Sequence, residues 1–191
     1  MGLSTSNKRL LLIALFTTLL TTTNPIKVAA QLYSIQTDAI GLLTGTFNAG
    51  ASMAVSERYS LHIHSEYNPW TFSGNKKTKF VTIQPGMRYW LGEAYGYGWF
   101  YGLNAIYSNF NVSKIFVGKH RYAGNAFGGG ISIGFNFPIT RRINMELELG
   151  GGIVYSKSTK YEGFSCGKKL MEEKKTSIIP TKIAMSIVYL F

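Results

Sequence analysis

The sequence predicts an all-β protein: an eight-stranded antiparallel up-and-down transmembrane β-barrel behind an N-terminal signal peptide. Three observations carry this. Of 191 residues, 14% are aromatic, 21 are Gly and only 15% are charged, where an ordinary soluble domain holds roughly 25% charged residues. Beyond residue 31 the apolar residues recur with period two, the signature of strands with two unlike faces. The longest apolar stretch, Leu10 to Leu20, is well short of the about 20 residues a spanning helix needs. Disorder is excluded because so many Tyr, Phe and Ile would have to stay solvated.

The chain begins with a processing signal. Lys8 and Arg9 form a positive start, Leu10 to Leu20 an apolar centre, and Val28-Ala29-Ala30 places small residues at the −3 and −1 positions of a peptidase site. Residues 1–30 therefore read as a secretory signal peptide, with cleavage before Gln31 and a barrel over residues 31–191. The single cysteine, Cys166, lies far from this site, which excludes a lipid-anchored leader and any internal disulfide.

Eight segments follow, at about 33–44, 48–56, 58–68, 79–91, 98–109, 123–137, 142–155 and 178–191. The first alternates least cleanly, because Ala39-Ile40-Gly41-Leu42-Leu43 interrupts it. In the third, Tyr59, Leu61, Ile63 and Tyr67 oppose Ser60, His62, His64 and Glu66. In the fourth, Val81, Ile83, Met87, Tyr89 and Leu91 oppose Thr82, Gln84, Gly86 and Arg88. In the sixth, Phe127, Ile131, Ile133, Phe135 and Phe137 oppose Ala126, Gly128, Gly130, Ser132, Gly134 and Asn136. In the seventh, Ile143, Met145, Leu147, Leu149, Ile153 and Tyr155 oppose Arg142, Asn144, Glu146, Glu148, Gly150 and Gly152. The chain ends Ile183-Ala-Met185-Ser-Ile187-Val-Tyr189-Leu-Phe191.

A soluble eight-stranded barrel of lipocalin type shares this period but packs large apolar side chains inside and Lys and Glu outside. Here the second face is Gly, Ser, Asn, Glu and Arg, which suits the narrow interior of a membrane barrel of OmpA or OmpX size. The apolar face then meets lipid. Aromatics fall at both interfaces: Tyr33, Tyr59, Tyr89, Tyr97, Trp99, Phe137 and Phe191 below, Phe47, Tyr67, Trp70, Tyr107, Phe110 and Tyr155 above. The terminal Tyr189 and Phe191 resemble the signal read by the bacterial barrel-assembly machinery. Short turns at 56–58 and 138–141 and longer loops at 68–78, 110–122 and 156–177 put both termini in the periplasm and the long loops outside the cell, in the outer membrane of a Gram-negative bacterium.

A family resemblance rests on Asn68-Pro69-Trp70, Gln84-Pro85-Gly86-Met87-Arg88-Tyr89-Trp90, Tyr122-Ala-Gly124 ahead of Gly128-Gly-Gly130, Glu146-x-Glu148-x-Gly150, Cys166-Gly167 and Pro180-Thr181-Lys182. Over about residues 35–191 the chain resembles the domain-of-unknown-function 3575 family, small outer-membrane barrels of Bacteroidetes whose members often occur beside fimbrial genes. The Pro-Gly-Met before Arg88 stands where that family more usually has Pro-Glu-Leu. The resemblance implies fold and location, and no established activity.

The loops expected outside hold Lys76, Lys77 and Lys79, then Lys114, Lys119 and Arg121, then Lys157, Lys160, Lys168, Lys169, Lys174 and Lys175, against only Glu162, Glu172 and Glu173. A basic rim attracts the phosphates of lipopolysaccharide, or serves as a solvated surface during assembly. No nucleic-acid-binding motif accompanies it.

Inside, Asp38, His62, His64, Glu66, Glu146 and Glu148 share the lumen with Arg88 and Lys182. Ionisable groups in so narrow a space must pair. Strand depths bring Arg88, Glu146 and His62 level, so Arg88 is expected to pair with Glu146 or Glu148. A structural plug is favoured over a gate, because eight strands leave no open channel. His62-x-His64 with Glu66 is a spacing that can ligate metal, but the set is sparse, and no metal or cofactor is assigned. No catalytic residue is assigned either, because His64 and Ser65 point to opposite faces and no Gly-x-Ser-x-Gly elbow appears. Cys166, a lone cysteine in a secreted chain, reads by default as a free thiol, with an intermolecular bridge as the alternative. The expected function is a structural or surface-interaction barrel, with a fimbrial or other surface protein as possible partner. A lipid A-modifying enzyme and a narrow channel are the alternatives.

Overall fold

A computed structural model describes residues 32–72, 76–113, 121–161 and 169–191, all within one compact unit, Gln31–Phe191. The segment read as a signal peptide, residues 1–30, lies outside the described residues. Among those described are nine strands: β1 (Tyr33–Asp38), β2 (Phe47–Ser56), β3 (Tyr59–Asn68), β4 (Thr71–Phe72), β5 (Lys76–Trp90), β6 (Gly98–Ser113), β7 (Arg121–Pro138), β8 (Ile143–Tyr161) and β9 (Lys169–Leu190). One short helix, α1 (Ala39–Leu43), follows β1.

Every pairing is antiparallel, and the sheet closes on itself. The order runs β3-β2-β1-β9-β8-β7-β6-β5, and β3 pairs with β5, which completes a ring of eight strands with β4 as a two-residue addition beside β5. Closure leaves no strand of the ring without two neighbours, which removes the exposed edges that an open sheet must protect. The chain ends meet: Ser34 lies opposite Leu190, and Phe191 N–H bonds to Tyr33 O. They share one end of the ring, the lower end, with the short connections at 57–58, 91–97 and 139–142.

Two prolines mark where the ladder gives way. Between β5 and β6 the register is the same on both sides of a break at Gln84–Pro85, where Pro85 has no N–H to offer. Between β8 and β9 the register shifts at Gly150/Gly151, and Pro180 sits at that bulge, a position that tolerates the missing donor.

The first expected strand, 33–44, is corrected. β1 stops at Asp38, whose carboxylate accepts from Ile40 N–H (3.2 Å) and Gly41 N–H (2.9 Å) and so starts α1. Asn48 on β2 takes the place of a strand neighbour: its Oδ1 accepts from Asp38 N–H at 2.6 Å and its Nδ2 donates to Asp38 O at 2.9 Å. Gly41 is needed here because a Cβ would stand 2.6 Å from Asn48 Nδ2.

The upper strands also run further than the alternation suggested. β6, β7, β8 and β9 continue to Ser113, Arg121, Tyr161 and Lys169. Most of the segment read as a loop over 156–177 is therefore paired strand, because the ladder's hydrogen bonds come from the backbone and polar residues supply them as well as apolar ones. Lys76, Lys77, Lys79, Arg121, Lys157, Lys160, Lys169, Lys174 and Lys175 sit on strand ends, while Lys114, Lys119, Lys168 and Cys166 lie outside the described residues.

Candidate functional site

The alternation places small and polar side chains inside the ring and large apolar ones outside. On β3, Ser60, His62 and His64 are buried while Tyr59, Leu61 and Ile63 are exposed. On β7 and β8, Ser132, Asn136, Glu146 and Glu148 are buried while Ile131, Ile133, Leu147 and Leu149 are exposed. The interior is the candidate site, and it has three levels.

At mid-depth is a charge network. Arg88 on β5 is 1% exposed, and its guanidinium reaches across the ring to two carboxylates on β8. Nη1 donates to Glu146 Oε2 at 2.9 Å and Nη2 to Glu148 Oε2 at 2.7 Å. Lys182 Nζ on β9 lies 3.2 Å from the same Glu148 oxygen. Two cations and two carboxylates make the level neutral, which is the condition for burying them together.

The network continues through neutral groups. Ser132 Oγ donates to Glu148 Oε1 at 2.6 Å, Asn104 Nδ2 donates to Ser132 Oγ at 3.1 Å, and Asn104 Oδ1 faces His62 Nε2 at 2.8 Å. The order of donors puts the His62 proton on Nε2. Glycines on the neighbouring strands make this crowding possible. A Cβ on Gly102 would collide with Ser132 Oγ, and one on Gly86 would stand 2.7 Å from His62 Cε1.

Below the network lies an apolar seal of Trp90, Tyr95, Phe100, Val188 and Leu190. The Arg88 guanidinium carbon stands 4.6 Å from the centroid of the Phe100 ring, a cation–π contact. Trp90 packs tilted against both rings, its centroid 4.8 Å from that of Phe100 and 5.3 Å from that of Tyr95. Tyr95 comes from the 91–97 connection with φ +63°, a rare conformation for a residue with a side chain. Its carbonyl accepts from Asn136 Nδ2 (2.7 Å) and Asn144 Nδ2 (2.8 Å), and its hydroxyl bonds Ser52 Oγ (2.6 Å). These bonds hold the ring in the mouth. Burial pushes the Tyr95 phenol above the usual tyrosine range.

Above the network, His64 Nε2 faces Glu66 Oε1 at 3.6 Å, and a cavity of about 360 Å³ opens among the upper halves of β3 and β5 to β9.

Of the residues singled out in the sequence, Arg88, Glu146, Glu148 and His62 lie in one connected network, and Lys182 completes it. His64 and Glu66 form a separate pair above. Asp38 does not join them: its carboxylate is occupied by the N–H groups of Ile40, Gly41 and, at 2.9 Å, Met185, so it acts as a helix cap and a tie to β9. Phe110 faces the upper cavity rather than the outer interface. Among the described residues no three of His, Cys, Asp and Glu are grouped closely enough to hold a metal ion. At the end of the chain Tyr189 and Phe191 contact each other on the outer face, ring centroids 5.1 Å apart.

The sequence reading missed the seal. Its signal was present: Phe100 occupies an inward position between Gly98 and Gly102, and Gly134 faces it on β7. A Cβ on Gly134 would collide with the Phe100 ring.

No curated protein and no solved structure matches the chain. A family model described as a protein of unknown function (DUF3575) matches residues 13–191, nearly the whole chain, and the protein belongs to that family.

Proposed function

We propose that the protein is a β-barrel of the bacterial outer membrane, with both termini in the periplasm and a structural or surface-interaction role exercised through its basic upper hairpins. One observation carries this reading: the molecule is inside out. Among the described residues the buried set holds eight apolar residues and twenty-two polar or charged ones, while the exposed set includes Ile131, Leu149, Ile153, Ile183 and Leu103. A soluble protein buries its apolar residues. A closed sheet with apolar residues outside and a polar lumen is the arrangement that lipid selects. No helix of the described residues is long and apolar enough to cross a membrane.

The lumen supports a rigid body over the two alternatives. A channel would have to pass the Arg88 network and the Trp90, Tyr95 and Phe100 seal below it. An enzyme acting on lipid A would need a nucleophile beside a base, whereas His62 is committed to Asn104 and His64 faces Glu66. The surface role follows from charge. Lys77, Lys79, Lys157, Lys160, Lys174 and Lys175 stand on the upper strand ends, where they would meet lipopolysaccharide phosphates or an acidic fimbrial or other surface protein.

The test is a cell-envelope one. The protein should fractionate with outer membrane and migrate faster on gels unheated than boiled, since closed barrels resist detergent. Capture from crosslinked cells should recover a partner with the intact chain and not with the upper hairpins shortened. A single unfolded-position band in unheated outer membrane would overturn the barrel. Conductance in planar bilayers, or altered lipid A masses in a deletion strain, would favour the alternatives.

A further inference from the structure

The cavity above the charge network has two unlike sides. Ile106, Phe110, Val154 and Ile179, on β6, β8 and β9, give it an apolar wall. Glu66, Thr82 and Gln84, on β3 and β5, give it a carboxylate, a hydroxyl and an amide whose Nε2 donates to Thr181 O at 3.4 Å. Its floor has hydrogen-bonding capacity to spare. Thr181 Oγ1, at the β9 bulge, lines the cavity and is buried without a partner among the described residues. A buried polar group left this way costs stability, so the arrangement calls for something that brings a partner to Thr181 Oγ1 while it meets the carboxylate and amide on the opposite side. Glu66 keeps 29% of its side-chain surface accessible and can be reached from above.

Charge selects among ligands. An anion would face the Glu66 carboxylate. A cation would enter past Lys77, Lys79, Lys174 and Lys175, with Arg88 and Lys182 beneath. A neutral polyhydroxylated ring fits both constraints: its hydroxyls donate to Glu66 and bond Gln84 and Thr181, and its less polar face lies on Phe110. A volume of about 360 Å³ falls at the small end of ligand sites.

We propose that the upper lumen, built around Glu66, Gln84, Thr181 and Phe110, is a binding cup for the neutral sugar end of a surface glycan. This rests on the reading that the upper end faces outside the cell, and it names one ligand class for that end. The site differs from the larger crevice of about 650 Å³ beside Tyr101, Ile131, Leu149 and Ile183, which also takes in the buried Ser132 and Lys182 of the charge network.

The experiment uses the full mature protein in detergent micelles on a printed array of neutral, acidic and amino-sugar glycans. Spots ending in neutral hexose should bind, and Glu66→Gln and Thr181→Val should each weaken them at least tenfold while retaining the fast unheated gel band. Lys174→Gln with Lys175→Gln should leave them unchanged. Binding confined to acidic glycans and lost with the lysines, or no binding by folded protein, would overturn the cup. Orientation is read separately: with Cys166→Ser, a Lys174→Cys variant labelled in intact cells by an impermeant maleimide upholds the outward-facing reading. Labelling without glycan binding sinks the cup alone, and absence of labelling sinks the orientation beneath it.

Discussion

Replacing Arg88 by Met keeps much of the side chain's bulk and removes its charge, and the structure says which carboxylate suffers. Glu148 retains Lys182 at 3.2 Å and the Ser132 hydroxyl at 2.6 Å. Glu146 retains nothing comparable: its Oε2 bonds Arg88, and its Oε1 is buried without a partner among the described residues. Removing one side of a buried pair costs about 3–5 kcal/mol, or roughly two to three and a half powers of ten in the folding equilibrium. Arg88→Met should therefore lose about that much stability, measured by urea unfolding in lipid vesicles with tryptophan fluorescence. Adding Glu146→Gln should recover most of it, because the stranded charge is gone. Adding Glu148→Gln should recover less, because it leaves Lys182 without its carboxylate. Losses that simply add in the Arg88→Met/Glu146→Gln double variant, or equal rescue by the two glutamines, would refute this account of the network.

Three further outcomes follow from the seal and the chain end. Gly134→Ala should cost about 1–3 kcal/mol by overpacking, because its methyl group would enter the Phe100 ring, and Phe100→Leu in the same chain should return part of it in the unfolding assay. Tyr95 has a raised pKa from burial, so its contribution is complete below about pH 10, the usual tyrosine value, and is lost as pH rises beyond it. Tyr95→Phe should start lower, having lost the Ser52 hydrogen bond, and its stability curve should converge on the parent curve above about pH 10; parallel curves would mean that the phenol is not held neutral by the fold. Deleting Phe191 should lower the amount of assembled protein in outer membrane, measured by the heat-dependent gel shift, and normal levels would remove the terminal residue from any assembly role.

Much of the ring was legible because one rule, period two with unlike faces, governs each wall strand. It placed Arg88, Glu146, Glu148 and His62 inside, and strand depth alone brought them level. What failed was local chemistry that competes with the ladder. Asp38 reads as a lumenal charge by parity, yet a carboxylate two and three residues before free N–H groups caps a helix, and the non-alternating run after it was the clue. The upper hairpins were hidden because polar residues on both faces look like loop until they pair. Tyr95 was hidden for another reason: a turn residue folded back into the lumen leaves no periodic mark, and only the inward Phe100 opposite Gly134 hinted at an aromatic cluster there. The upper cavity was beyond reach in the same way, since its shape depends on the Pro180 bulge and on which side of β6 presents Ile106 and Phe110.

The central claim is that the outer face of the ring meets lipid. With Cys166→Ser as background, spin labels at Ile131, Ile133 and Leu149 on the outside, and at Ser132 inside, can be read in lipid vesicles against oxygen, which concentrates in the bilayer, and a water-soluble nickel chelate. The outward labels should be relaxed strongly by oxygen and weakly by nickel, and the Ser132 label should respond weakly to oxygen. Strong nickel relaxation at Ile131, Ile133 and Leu149 would place that face in water and contradict the membrane reading.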